Sequence, residues 1–183
     1  MTKTANRQIS KSANQQVSES ANQRINESTN QRIDESTNQQ IGAAGHQPSG
    51  LSEGRMAELI AAAAAVRERA YAPYSRFLVG AALRAADGTI FAGCNVENAS
   101  YGLTICAERN AIAQAIAAGA RDFTAVAVVS ENGVTPCGAC RQVLVEFGPE
   151  MTVIVVDLRG RRRIYTLAEL LLDAFGPKHL PGD

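Results

Sequence analysis

The sequence predicts an α/β fold: a three-layer α/β/α sandwich around a mixed five-stranded sheet, preceded by an N-terminal tail expected to be disordered. Three observations carry this expectation. Beyond residue 50 the pattern runs helix, hairpin, then alternating helices and strands, an order that builds a mixed sheet covered on both faces. Two runs, Phe123–Ser130 and Met151–Asp157, are almost wholly apolar, as strands buried in a sheet interior require. Residues 4–43, by contrast, repeat every eight positions with a polar composition.

A chain of 183 residues holds one ordinary domain, or one small domain and a tail. Lys+Arg and Asp+Glu balance at 18 each. The overall field therefore draws in neither nucleic acid nor anionic membrane, and neither is expected as a partner. No apolar run approaches the roughly 20 residues of a membrane helix, and Met1–Asn6 lacks the apolar core of a secretory signal. Four cysteines, two of them in Cys-x-x-Cys, favour metal or redox use over a disulfide framework. The expectation is a cytoplasmic protein with reduced thiols.

The repeat carries one large apolar residue per unit: Ile9, Val17, Ile25, Ile33 and Ile41. At about 100° per residue, eight residues overshoot two helical turns by about 80°, so these positions spiral instead of forming a seam. An even period keeps them on one face of a strand, yet so few apolar groups do not offset the entropy of ordering. A self-associating or partner-binding segment is the competing reading. Gly42–Gly50 is a linker by composition, which divides the chain into a tail over 1–50 and a domain over 51–183.

Within the domain, Ser52 is a plausible N-cap for a helix over Glu53–Tyr71, rich in good helix formers. Met56, Leu59, Ile60, Ala63 and Val66 fall at helical spacing and should face the core, and Pro73 should stop the helix. Phe77–Arg84 and Thr89–Val96 read as strands around an Ala86–Gly88 turn. A helix over Ala107–Ala118 is closed by Gly119. The strand Phe123–Ser130 leads to a helix over Cys137–Phe147 and the strand Met151–Asp157. Arg163–Thr166 should pair antiparallel with that strand, and a last helix spans Leu167–Phe175.

Two short runs carry the chemistry. Cys106 and Glu108 lie in Thr104–Arg109, and Cys137 and Cys140 in Pro136–Cys140. Three thiolates leave a four-coordinate zinc with one open position, the pattern of a catalytic site. Both runs fall where a helix begins, and a helix N-terminus favours a thiolate. Cys137 and Cys140 are three apart and meet on one side of the first turn. Pro136 suits a helix entry, where its missing N–H costs nothing.

On its own, Cys137-x-x-Cys140 fits a thioredoxin-like redox pair or half of a structural zinc site, taken together, as well as it fits catalysis. A closed structural site needs a fourth ligand. Cys94 could serve, though a small buried thiol is the commoner fate; His46 and His179 read as solvated residues. Glu108, two residues after a ligand, tips the balance to catalysis, although alone it would be an ordinary first-turn residue. Asn95 and Glu97, two apart near a strand end, point the same way, and an amide with a carboxylate suits the adjacent hydroxyls of a ribose. Arg161–Arg163 reads as a solvated turn.

Cys106-Ala-Glu108 with Pro136-Cys-Gly-Ala-Cys140 resembles the signature of the zinc-dependent nucleoside deaminases. Tyr71–Ala82, Gly93–Tyr101 and Cys137–Gln142 are similar to the short, homotetrameric, three-cysteine class of cytidine deaminases, over about residues 53–180. The repeat lies outside that likeness. The resemblance implies a cytidine deaminase-like fold and one Zn²⁺ per subunit on Cys106, Cys137 and Cys140. It implies hydrolysis of cytidine and 2′-deoxycytidine to the uridines and ammonia, with Glu108 shuttling protons. Arg109 would donate hydrogen bonds to the ligand sulfurs. Asn95 and Glu97 would hold the sugar 3′-OH, Phe77 would stack near the base, and the backbone at Ala107 would meet the pyrimidine carbonyl. Tyr101 and Phe175 would come from neighbouring subunits of a homotetramer. The alternatives are a deaminase of a related aminopyrimidine nucleoside, and a non-catalytic zinc-binding interaction module with the repeat as its working part.

Overall fold

The structure is a computed structural model that describes residues 51–181; the expected tail and linker, with their eight-residue repeat, lie outside the described residues. Helix α1 (Glu53–Arg67) starts at Ser52, whose hydroxyl accepts a hydrogen bond from the Arg55 N–H. Its apolar stripe of Met56, Leu59, Ile60 and Ala63 is buried, while Val66 is only half-buried and Arg67 takes its place against the sheet. The helix stops four residues before the expected Tyr71. Tyr71 is drawn instead into a bridge with Val96: its N–H donates to Asn95 O, and its carbonyl accepts from Glu97 N–H.

Strand β1 (Val79–Ala85) turns through Gly88, at φ 94°, into β2 (Ile90–Cys94). Helix α2 (Ala107–Ala117) ends at Gly119, also at φ 94°. The Gly119 N–H donates to Ile116 O and the Ala120 N–H to Ala115 O, the paired bonds of a Schellman stop. Strand β3 (Phe123–Ser130), helix α3 (Gly138–Val145), strands β4 (Thr152–Val156) and β5 (Arg162–Thr166) and the short helix α4 (Leu167–Leu170) complete the set. The last helix is thus one turn instead of the expected two. Beyond it, the Leu170 carbonyl accepts from Arg141 Nη1 and the Phe175 carbonyl from Gln142 Nε2. Arg141 of α3 therefore satisfies the Leu170 carbonyl, which a longer helix would have bonded within itself.

The sheet order is β2-β1-β3-β4-β5, with β3–β4 the parallel pair and the other neighbours antiparallel. Alternation along the strands sends side chains to two cores. Ala82, Ala125, Ala127, Val129, Ile154 and Val156 pack with α1 on one face. Leu83, Val126, Val128, Val153 and Val155 pack on the other with α2, Leu144 of α3 and Leu167 of α4. The result is three layers. Each face has a glycine seat for its helix. A Cβ at Gly80 would lie 2.0 Å from the Ala63 carbonyl of α1, and one at Gly93 would lie 2.4 Å from the Ala111 nitrogen of α2.

Register brings the functional ends together. Val79 pairs with Ser130, Gly80 with Cys94, and Val129 with Val156. The C-terminal ends of β2, β3 and β4 therefore share one edge of the sheet. The chain leaves β2 and β3 at that edge and returns from each as a helix that begins on a cysteine.

Candidate active site

Cys106 is the N-cap of α2 and Cys137 the N-cap of α3, both with extended backbone. Cys140 follows one turn into α3. Neither cap side chain bonds its own helix start, so both thiol groups remain turned to other partners. The sulfurs of Cys106 and Cys137, 31 residues apart in sequence, are 3.8 Å apart, and all three sulfurs lie within 4.8 Å of one another. Tetrahedral zinc with Zn–S near 2.3 Å spaces its ligands by about 3.8 Å. The donor set and its spacing therefore fit one zinc, and the three cysteines are the residues that would hold it. Among the described residues no fourth His, Cys, Asp or Glu joins this group. Cys94 is a free, half-buried thiol at the end of β2; it is neither a fourth ligand nor the fully buried core thiol that its strand position suggested.

The electrostatics treat Cys106 and Cys140 in opposite ways. Hydrogen bonding from Cys140 brings the Cys106 thiol down to about 5; burial opposes this, and Arg109 and Cys137 assist. The same hydrogen bond, with burial and the nearby Glu108 charge, raises Cys140. Two helix N-termini meet here, and their dipoles favour thiolate further. Arg109, one turn after Cys106, donates from Nη2 to Thr104 O at 3.0 Å and reaches Cys106 Sγ at 3.8 Å. Its Nε is buried with no hydrogen-bond partner. Arg109, which the resemblance assigns to the ligand sulfurs, thus makes its shorter bond to a carbonyl.

Glu108 is 4% exposed on the first turn of α2. Burial is the main cause that raises its pKa. A backbone hydrogen bond opposes it, the Cys106 charge adds to it, and Cys140 and Arg109 work against it. A buried carboxyl with a raised pKa beside three clustered thiols is suited to accept and return protons.

The expected substrate residues lie at the same sheet edge and engage one segment. Asn95, 8% exposed, accepts from Val79 N–H through Oδ1 and donates from Nδ2 to Phe77 O. Glu97 accepts from the Tyr74 and Ser75 N–H groups through Oε2 and from the Ser75 hydroxyl through Oε1. These bonds lower the Glu97 pKa, the Ser75 hydroxyl being the largest cause. Both side chains therefore shape the 74–79 loop that carries the half-buried Phe77. Each keeps spare capacity: a carboxylate has about four acceptor sites and an amide two donors and two lone pairs. Ala107 is fully buried at the first position of α2. Tyr101 is 74% exposed, 5.8 Å from the Tyr74 ring; Phe175 is 57% exposed and stacks on His179. Neither packs in a core of its own subunit.

Sequence reasoning missed Arg141, Gln142 and Asn110. Asn110 Nδ2 donates to Cys94 O and ties α2 to the end of β2. Adjacency to Cys140 was the one signal for Arg141 and Gln142, and it does not reveal partners about thirty residues away.

Residues 54–156 match the profile described as "Cytidine and deoxycytidylate deaminase zinc-binding region". A cytidine deaminase of Sporosarcina psychrophila is 51% identical over 126 residues, 67% of this chain and 93% of that one. One from Halalkalibacterium halodurans is 52% identical over 120 residues, 64% of this chain and 91% of that one. The crystal structure of cytidine deaminase from Burkholderia pseudomallei aligns with a TM-score of 0.64 at 52% identity, over 68% of this chain and all of that one.

Proposed function

The chain belongs to the cytidine and deoxycytidylate deaminase family, and from that premise we propose that it hydrolyses cytidine and 2′-deoxycytidine to the corresponding uridines and ammonia. The observation that carries this reading is the convergence of three sulfurs within 4.8 Å with the buried Glu108 beside them. Zinc, when bound by Cys106, Cys137 and Cys140, supplies a Lewis acid that makes water nucleophilic near neutral pH.

The chain's own residues do the rest. Glu108 takes one proton from the attacking water and delivers it to ring N3, then takes the remaining proton from the new C4 hydroxyl and passes it to the 4-amino group. The C4–O bond forms, the C4–N bond breaks, and ammonia leaves. Burial of Glu108 excludes bulk water from this transfer and raises its proton affinity above that of an exposed carboxylate. Arg109 offsets part of the negative charge of three thiolates. Asn95 and Glu97 use their spare hydrogen-bonding capacity for the ribose hydroxyls, and in holding the 74–79 loop they present Phe77 to the base. The backbone at Ala107 meets the pyrimidine carbonyl.

Tyr101 and Phe175, exposed in one subunit, complete the sites of neighbours in a homotetramer. The catalytic domain is residues 51–183, with residues 1–50 outside it, and the enzyme works in the cytoplasm. The described residues contain no helix long and apolar enough to cross a membrane.

The test follows ultraviolet loss of cytidine with zinc-loaded protein and with Glu108→Gln. Rapid turnover that drops about 10²–10⁴-fold in the variant is expected for a lost proton shuttle; equal rates would remove Glu108 from the chemistry.

A further inference from the structure

We propose that Arg141 is a positioning residue that locks the zinc-binding turn to the C-terminal segment, so that the two move as one unit. Its guanidinium is used on three sides. Nε donates to Pro136 O at 2.7 Å, Nη2 to Thr135 Oγ1 at 2.8 Å, and Nη1 to Leu170 O at 2.6 Å. Two of these partners immediately precede the ligand Cys137; the third closes α4. The backbone N–H of Arg141 also donates to Cys137 O, so one residue grips consecutive carbonyls at the entry of α3.

The need for this grip is local. Pro136 is fully buried and has no N–H. Its carbonyl precedes the N-cap and lies outside the ladder of α3, and a buried carbonyl left unpaired is costly. A planar, three-sided donor meets that need and reaches a second chain segment at the same time; a lysine ammonium on a flexible stem cannot span the same three acceptors. The next residue extends the link, since Gln142 Nε2 donates to Phe175 O at 2.8 Å. Cys140, Arg141 and Gln142 thus connect, in consecutive positions, a metal ligand, the end of α4, and the backbone of the exposed Phe175.

The inference rests on the reading of Cys137 as a zinc ligand, and its test separates the two. Full-length wild type, Arg141→Lys and Arg84→Lys are compared; Arg84 is a largely buried arginine near the opposite end of β1. Zinc transfer to a colorimetric chelator is timed, and backbone amide exchange is read by mass spectrometry. Arg141→Lys should release zinc about 10–100-fold faster, the usual effect of losing a group that orients a ligand. Exchange should quicken at both 135–137 and 171–176 in that variant, and Arg84→Lys should change neither. Wild-type rates of release and exchange in Arg141→Lys would overturn the proposal. So would faster exchange at one segment without the other, or equal loosening in Arg84→Lys. Were wild type to hold no zinc, the ligand reading would fall, and the exchange data would still decide whether Arg141 couples the two segments.

Discussion

At the scale of the residue, function rests on how few groups meet at one sheet edge and how differently they are treated. Cys106 is held toward the thiolate and Cys140 toward the thiol; Glu108 is buried beside them with its pKa raised. Substitutions should therefore separate metal from chemistry. Cys137→Ala should lose zinc, while Glu108→Ala keeps it and loses turnover; metal analysis of both purified variants checks this. Glu97→Gln should chiefly raise KM for cytidine and spare free cytosine, since its proposed ligand is the sugar; steady-state kinetics on both compounds decides. The cysteines and Glu108 were legible because helix starts and short spacings are written locally. The hold of Asn95 and Glu97 on the 74–79 loop was not, because their partners there lie about twenty residues away.

At the scale of the element, the strands were easier to read than the ends of helices. Phe123–Ser130 matches its expected span because a mostly apolar, β-branched run between turns has only one place to go. Helices α1 and α4 fall short because distant groups claim their next backbone partners: Asn95 and Glu97 at one, Arg141 at the other. The glycine seats give a prediction at this scale. Gly80→Ala sets a methyl 2.0 Å from a helix carbonyl, and an overpacked site of this kind costs about 1–3 kcal/mol or more. Urea unfolding should show that loss without a change in zinc content.

The β4–β5 turn gives a pH-dependent prediction. Burial works to raise Asp157, but hydrogen bonds from the Arg161 side chain and from the Arg161 and Arg159 N–H groups outweigh it and lower its pKa. A depressed carboxylate stabilises above its unfolded pKa, about 3.9, and that contribution is lost as pH falls through the folded value. Asp157→Asn should cost about 1–3 kcal/mol at pH 7, with the gap to wild type closing below about pH 4. Paired unfolding curves across that range measure it.

At the scale of the whole molecule, two expectations concern assembly. A protein beginning at Leu51 should keep kcat and KM, because the family match and every proposed site residue fall within 51–183. Light scattering should give about four times 19.4 kDa for the full chain; Tyr101→Ala should weaken activity through the neighbour's site, and a monomeric, fully active protein would exclude shared aromatics.

The alignment of β2, β3 and β4 at one edge has a last consequence. Hydrophobic clusters and strand ladders already hold both helix starts in place, so the ion arrives at a finished receptacle and is not the nucleus around which the chain collapses. In zinc fingers the metal supplies the folding energy and its withdrawal unravels the chain. Here chelation should extinguish turnover and leave the circular dichroism of the sheet in place, so that a metal-starved cell would keep a dormant pool awaiting only its ion.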